Sequence, residues 1–569
     1  MHKLLVSSFT LLLSFQLSAQ NLKWAKNLGG ISTTDKGNSV AIDAAGNVYT
    51  TGAFAIKADF DPGPDKYELP SKGGIDIFIS KLDPDGNFLW AKSLGGTNDE
   101  WGFEIATDLA GNVYVAGSFK GPVDFDPSAS GVFEMTGAGS SDAFILKLDP
   151  NGNYVWAKQL GGNGSDYAFS MCVDGSANVY TTGYFSVTAD FDPGSGVFEM
   201  TAALSSKNTY ISKLDSDGNF VWAKNIGGGS LTQPFAIAVD AIGNVYTTGI
   251  FRDAADFDPG PGNFPLLATI NSQDAFVLKL DSDGNFKWAG RLGGLGTEQG
   301  NAIAVDAAGN VYSAGAFEGA CDFDPLPSTP FILNSGGGYD TYISKLDANG
   351  KFVWAKSVGQ SSADWPYGIA VDAAGNLYTT GYFAATADFD PGPGVFNLSA
   401  VGNFDVYVLK MTPNGEFVWA INIGGTAADG GESILLDAMG NIFVAGFFRN
   451  NCDFDPGSGS YNVQSNGLQD AFVLKLGQTN SDTENPNLLA MQPSLFPNPA
   501  SESVFIHAPF SDLVLVKIHD ALGRLRHTET LDNHSKTPLI IDIKSLHPGA
   551  YIVTLSSGVN VWASRFVKI

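Results

Sequence analysis

The residues best placed to do chemistry are acidic and come in pairs. The string D-x-D-P recurs seven times, giving Asp59/Asp61, Asp124/Asp126, Asp190/Asp192, Asp256/Asp258, Asp322/Asp324, Asp388/Asp390 and Asp453/Asp455. In an extended segment, residues i and i+2 point to the same side, so each motif can present two carboxylates together. A hard cation such as Ca2+ takes about six to eight oxygens, and a carboxylate pair completed by carbonyls and water is the start of such a shell. The late Glu of an EF-hand loop is absent. The competing expectation is that these Asp side chains cap a turn, once per repeat.

Histidine is nearly confined to one end: His507, His519, His527, His534 and His547 lie beyond residue 500, and the sixth is His2. The long middle of the chain has none. That excludes a Ser-His-Asp or Cys-His apparatus there, and any His-ligated zinc or iron. Cys172, Cys321 and Cys452 are too few for a disulfide framework and read as small buried hydrophobes. Two carboxylates about 5–9 Å apart, one with a raised pKa, suffice for glycoside hydrolysis. A hydrolase or lyase using Asp or Glu is therefore the catalytic alternative. Near-identical repetition of the Asp pairs argues instead for a structural or multivalent role. Departures from the repeat (Trp101, Glu104, Arg252, Glu298, Glu318, Trp365, Arg449) form no recognised constellation.

An aromatic signal accompanies the acidic one. Eleven residues after a recurring Trp lie Trp101, Tyr167 and Trp365, whereas the same position holds Gln233 and Gln299 elsewhere. A pure core position would be apolar in every repeat. Flat aromatic faces beside carboxylates suit sugars, so these three are candidate ligand-binding residues, with packing against the next repeat as the alternative.

What positions these residues is a repeat of about 66 residues, marked by Trp24, Trp90, Trp156, Trp222, Trp288, Trp354 and Trp419. Each repeat offers four short alternating runs, punctuated by D-x-x-G-N between the first and second and mostly D-x-[DN]-G between the third and fourth. Both punctuations suit tight hairpins. Tandem four-stranded antiparallel repeats predict an all-β protein, a seven-bladed β-propeller. First strands fall near residues 39, 104, 170, 236, 302, 368 and 433. The run at 470–476 has no fourth strand after it, while 21–30 is a fourth strand with no third before it. Pairing these orphans closes the ring without an exposed edge. Propeller topology puts the tight turns on one face and the long links, including D-x-D-P, on the other, where function is expected.

Composition agrees. Gly is 68 of 569 residues, charged residues are 16% and aromatics 12%, which argues against both a helical and a disordered chain. A net charge of −27, nearly all of it before residue 481, speaks against nucleic acid or an anionic membrane as partner. Residues 1–19 carry a Lys, an apolar stretch from Leu4 to Phe15 and small residues before Gln20, the order of a secretory signal. No later run is apolar for long enough to predict a membrane-spanning helix. The propeller is expected over 20–476, a polar linker over 477–492, and a small C-terminal Ig-like β-sandwich over 493–569.

Two resemblances follow. LFPNPASESVFI (495–506), VKIHDALGRL (516–525), SLHPGAYIVTL (545–555) and the terminal RFVKI resemble the type A C-terminal sorting domain of the type IX secretion system. That resemblance implies export across an outer membrane, with the secretion and sorting machinery as partner and a secreted or cell-surface destination. GNVYTTG (46–52 and 243–249, with close copies elsewhere) resembles the SBBP β-propeller repeats. It implies a propeller and an extracytoplasmic setting, but no defined reaction. The reading drawn is a secreted or surface binding or scaffold protein, with glycan or protein as ligand.

Overall fold

A computed structural model describes residues 20–478 except 129, 204–205 and 326–328. In the C-terminal part it describes 494–496, 503–507, 513–520, 524–532, 539–547, 549–557 and 560–568. The described residues are strands, turns and connections, with no helix among them. The leader expected over 1–19 and residues 479–492 of the expected linker lie outside them. The chain divides into two compact bodies, within Met1–Asn480 and within Ser481–Ile569.

In the first body one antiparallel pattern recurs. Repeat 1 pairs Lys36–Ile42, Val48–Asp59, Glu68–Leu82 and Phe88–Leu94 in chain order. The same order restarts at Trp101–Thr107 (repeat 2), Ser170–Val173 (3), Leu231–Val239 (4), Glu298–Val305 (5), Trp365–Val371 (6) and Gly430–Leu436 (7). In repeat 7 the fourth strand comes from the other end of the chain: Gln20–Gly30 pairs antiparallel with Asp470–Gln478. Gly477 and Gln478 thus continue the strand, opposite Asn21 and Gln20, where the sequence predicted a linker.

The hairpin chemistry between first and second strands is visible atom by atom. Asp43 Oδ1 accepts from the N–H of Ala45 and Asn47, while its Oδ2 accepts from Asn47 Nδ2 (2.7 Å) and Tyr49 Oη (2.9 Å). Gly46 turns the chain at φ +81°, a conformation that costs glycine little. In repeat 3 Ala177 stands in its place at φ +63°. This explains why Asp, Gly, Asn and Tyr recur together. It also joins the repeats: Lys81, above the Tyr49 ring at 4.9 Å, donates to Pro150 O in the next repeat. Six of the seven recurring Trp residues do the same with their indole. Trp24 Nε1 donates to Pro84 O at 3.1 Å, so repeat 7 meets repeat 1 as Trp222 meets Ser282 O at 3.1 Å.

The D-x-D-P link departs from the expected loop on the variable face. After the second strand the chain forms a hairpin along the edges of two neighbouring fourth strands. Gly29 and Gly30 pair with Asp59 and Ala58, and Tyr67 of the same hairpin stacks on Phe88 at 4.9 Å. The fourth strand is the edge of its sheet, and an uncovered edge is a template for aggregation. The link therefore acts as a strap between repeats.

In the second body Ser494–Phe496, Ser503–His507 and Leu539–Asp542 form one sheet. Leu525–Asp532, Leu513–Asp520, Gly549–Ser557 and Asn560–Lys568 form another. Val504, Val516, Ile518, Ile541 and Val553 are buried there.

Candidate functional site

The first strands of all seven repeats converge on one concavity of about 260 Å³, to which Asn38, Glu104, Ser170, Phe235, Asn301, Tyr367 and Glu432 each contribute from a different repeat. A register shift recurs here: between Gly37 and Ser39, Gly102 and Glu104, Pro234 and Ala236, Gly300 and Ala302, Pro366 and Gly368, and Gly431 and Ser433. A bulge re-aims the extra side chain. The extra residues, Asn38, Phe103, Phe235, Asn301, Tyr367 and Glu432, are the ones that differ most in chemistry, whereas the strands around them repeat.

The wall is polar on one arc. Asn38 Nδ2 donates to Gly102 O (2.8 Å) and Asn301 Nδ2 to Pro366 O (2.9 Å), each stitching one repeat to the next. Lys36 forms an ion pair with Glu432 at 2.9 Å. Glu104 accepts hydrogen bonds from Ser39 Oγ and Ser170 Oγ, of the repeats on either side. Burial pushes its carboxyl up to about 7, against the opposing effect of those two hydroxyls.

The other arc is aromatic. Trp101 stacks on Phe103 with planes 4° apart. Phe103 meets Tyr167 at 6.3 Å and Phe169 at 5.4 Å, and Phe169 meets Phe235 at 6.0 Å. These five rings from repeats 2, 3 and 4 are all half-buried, and the series ends on Phe235 in the concavity. Two of the three aromatic residues singled out in the sequence, Trp101 and Tyr167, thus belong to one cluster. Trp365 lies apart, half-buried and packed on Tyr339 at 4.9 Å. Phe103, Phe169 and Phe235 escape a reading centred eleven residues after the repeat Trp. The position thirteen residues after, Phe103, Phe169, Phe235, Asn301, Tyr367 and Glu432, carries the stronger signal.

The fourteen Asp of D-x-D-P, the candidate cation ligands, are spread along the seven straps, and their carboxylates are turned onto their own backbone. In repeat 1 Asp59 Oδ1 accepts from the N–H of Asp61 (3.2 Å) and Tyr67 (2.9 Å), and Asp61 Oδ1 accepts from Gly63 N–H (2.8 Å). In repeat 2 Asp124 accepts from the N–H of Asp126 and Phe133, and Asp126 from Ser128 N–H. Asp190 and Asp192 of repeat 3 follow the same pattern with Asp192, Phe198 and Gly194 as donors. In repeat 4 Asp256 accepts from Asp258 and Phe264, and Asp258 from Gly260. In repeat 5 Asp322 accepts from Asp324 and Phe331 N–H, and Asp324 Oδ2 accepts from the Thr329 hydroxyl at 3.3 Å. Asp388 and Asp390 of repeat 6 follow the pattern of repeat 1 through Asp390, Phe396 and Gly392. Asp453 and Asp455 of repeat 7 do so through Asp455, Tyr461 and Gly457.

In every strap the first Asp thus accepts from the second one's own N–H, so the pair closes a turn rather than presenting two free carboxylates side by side. Among the described residues no three His, Cys, Asp or Glu side chains gather into a metal-binding group. These bonds favour the turn-capping reading over the calcium one. Cys321 and Cys452 are fully buried beneath the straps and unpaired, and Cys172 is partly buried.

The chain carries β-propeller repeats of the SBBP family, matched at residues 23–53, 155–184 and 353–382. Residues 494–569 match the secretion system C-terminal sorting domain. An uncharacterized WD repeat-containing protein of Acanthamoeba polyphaga mimivirus is 24% identical, over 75% of this chain and 36% of its own length. The regulatory protein FlaEY of Caulobacter vibrioides is 24% identical, over 48% of this chain and 29% of its own. The chain thus spans about a third of the curated relatives it matches. The solved structure of Sqt1 from Chaetomium thermophilum, 10% identical, covers 81% of this chain and 100% of its own with a TM-score of 0.36. The sorting domain indicates export to the cell surface or secretion, and the type IX sorting machinery as partner. Among the described residues no helix is long and apolar enough to cross a membrane.

Proposed function

We propose that this chain is a non-catalytic binding or scaffold protein, displayed or released after type IX export. Its ligand, a glycan or a protein surface, is held at the mouth of the central concavity. In this reading the seven repeats close into a seven-bladed propeller, residues 20–30 complete the last blade, and the two C-terminal sheets pack as a small sandwich. The observation that carries the proposal is the half-buried series Trp101, Phe103, Tyr167, Phe169 and Phe235 leading into a concavity whose opposite arc is amide and carboxyl. Flat apolar faces next to fixed polar groups are what a sugar ring needs, and the site breaks the symmetry of the repeats where a specific ligand would require it.

One observation favours a second reading, a carbohydrate-active hydrolase or lyase. Glu104 sits in the same concavity with its pKa raised to about 7, as a general acid requires. Its two serine partners also explain it as a structural acid joining three repeats.

The test is a polysaccharide and glycoprotein panel against the full chain, with binding and new reducing ends measured in parallel. Saturable binding without product, weakened in Trp101→Ala, is expected. Product formation that disappears in Glu104→Gln would replace the proposal with the catalytic reading.

A further inference from the structure

Away from the concavity, the junctions between repeats hold a second set of acids. The third strand of each repeat carries a buried polar residue, at its first position except in the longer strands of repeats 1 and 5: Asp76, Asp142, Asn208, Asp274, Asp340, Asp405 and Asp470. Just before the next first strand, or at its start, comes another: Glu100, Asp166, Thr232, Glu298, Asp364, Asp429 and Asp35. Each is at most 5% exposed. The two members of a junction are neighbours. A Cβ on Gly359 would lie 2.6 Å from Asp364 Oδ2 and 2.9 Å from Asp340 Cγ, and one on Gly161 would touch Asp142 and Asp166 alike. A glycine at or just past the end of each fourth strand leaves room for these side chains: an acid fills its Cβ space in six repeats, and the Asn208 amide does so at Gly227.

Three observations belong together. The acids are held by backbone N–H groups: Gly336 and Ala138 donate to Asp340 and Asp142, Gly162 and Gly425 to Asp166 and Asp429. Yet Asp76 Oδ1, Glu100 Oε1, Asp142 Oδ1, Glu298 Oε1, Asp340 Oδ1 and Asp470 Oδ1 are buried with no hydrogen-bond partner. And in the one junction where the first-strand acid is replaced, by Thr232, its partner is replaced too, by Asn208. The two acids are thus present together or absent together in all seven junctions, as the members of a pair would be.

We propose that each of the five acid pairs with an orphaned oxygen holds one shared proton, a carboxyl of one side chain donating to the orphaned carboxylate oxygen of the other. Two buried like charges in contact cannot both stay ionised, and a single proton removes one charge while partnering the orphaned oxygen. A cation fits less well. N–H dipoles point at both carboxylates and stabilise a net negative charge, and among the described residues no third His, Cys, Asp or Glu joins any pair. Burial supports this from a second direction. It raises Glu298 to about 8, Glu100, Asp166 and Asp364 to about 7, and Asp35 and Asp429 to about 6, with the partner acid adding to each shift.

The other groups facing the pairs are few. Lys72 and Asp99 face Asp76 and Glu100, and Arg291, Glu318 and Cys321 face Asp274 and Glu298. Arg449 and Cys452 face Asp405 and Asp429. Tyr184 and Tyr210 face Asp166, and Tyr382 and Tyr407 face Asp364. The Asp35/Asp470 pair is faced by the neutral Ser32 and Asn27.

The experiment counts protons released when the full chain is unfolded in urea at pH 6, where free carboxyls are largely ionised. Wild type is expected to release roughly one proton per pair above the ordinary carboxyl background. Asp340→Asn with Asp364→Thr, which copies the neutral junction already present, should release about one fewer. Histidine contributions cancel between the two proteins. An infrared carboxylic C=O band in folded wild type at pH 6, lost on unfolding, is the second expected readout and needs no variant. Equal proton release in both proteins would overturn the proposal. So would a melting midpoint that falls in EDTA, recovers with calcium and is accompanied by no proton release, since that result assigns the pairs to a cation.

Discussion

The two ends of the same strands carry acids of opposite character. At the tight-turn end Asp43, Asp108, Asp174, Asp240 and Asp306 are partly buried, which alone would raise them, but the hydrogen bonds they accept outweigh burial and hold each below the ordinary value. At the other end Glu100, Asp166, Glu298 and Asp364 are buried deeper, with fewer donors, and are raised to between about 7 and about 8. The turn end is almost identical in every repeat and contacts its neighbour through the same Lys and Trp. The link end holds the bulged residues and the aromatic series, where the repeats differ, beside acid pairs that recur in six of the seven junctions. The uniform turn end joins neighbouring repeats, and the divergent bulged positions mark where recognition is available.

The comparison breaks most completely if repeat 7 loses its N-terminal strand. Deleting residues 20–30 removes the fourth strand of repeat 7 and the Trp24 contact to Pro84, leaving two sheet edges unpaired. Melting followed by circular dichroism should show a larger loss than any single substitution produces. An unchanged midpoint would show that the turn-end contacts do not join repeat 7 to repeat 1.

Next in size is Gly95→Ala. Its Cβ would lie 2.2 Å from Asp76 Cγ, a contact that neither the buried acid nor the strand can relieve cheaply. A cost of about 2–3 kcal/mol in urea denaturation is expected. Asp240→Ala follows, since it strips the bonds from Ile242 and Asn244 N–H, Asn244 Nδ2 and Tyr246 Oη. About 2 kcal/mol is expected there, with ligand binding retained.

The pH dependence sharpens the contrast, because the two acid populations act in opposite directions. The raised carboxyls bind protons more tightly folded than unfolded, so their contribution is complete below about pH 4, declines as pH rises above that, and is gone once pH has passed the folded values of about 6 to about 8. The lowered turn carboxylates contribute above about pH 4, and that part is lost on acidification. Stability should therefore peak near pH 4 and decline above it, checked by melting across pH. A plateau through pH 8 would remove the distinction between the two ends.

Much of this was legible in the sequence. Trp spacing and D-x-x-G-N predicted four-stranded repeats, and the unmatched runs at 21–30 and 470–476 predicted the pairing that joins the two ends. Alternation with turn residues is a local signal, and local signals survive without coordinates. The destination of D-x-D-P was not legible. Its strap packs against the preceding repeat, a non-local contact that no spacing encodes. The bulge was hidden for a similar reason. One extra residue shifts the side that faces inward, and a search keyed to distance from the recurring Trp settled two positions short of the bulged residues. Tyr167 and Trp101 were still found, because their rings reach the cluster from the strand entrance.

The smallest effect on stability and the largest on binding should come from Trp101→Ala, whose ring is half-buried at a strand start. Measuring melting midpoint and ligand affinity together for Trp101→Ala and Asp240→Ala tests the division of labour most directly. The account predicts that the first loses binding and keeps its midpoint, while the second keeps binding and melts earlier. Affinity and midpoint falling together in both proteins would contradict it, since the two ends would then serve one purpose.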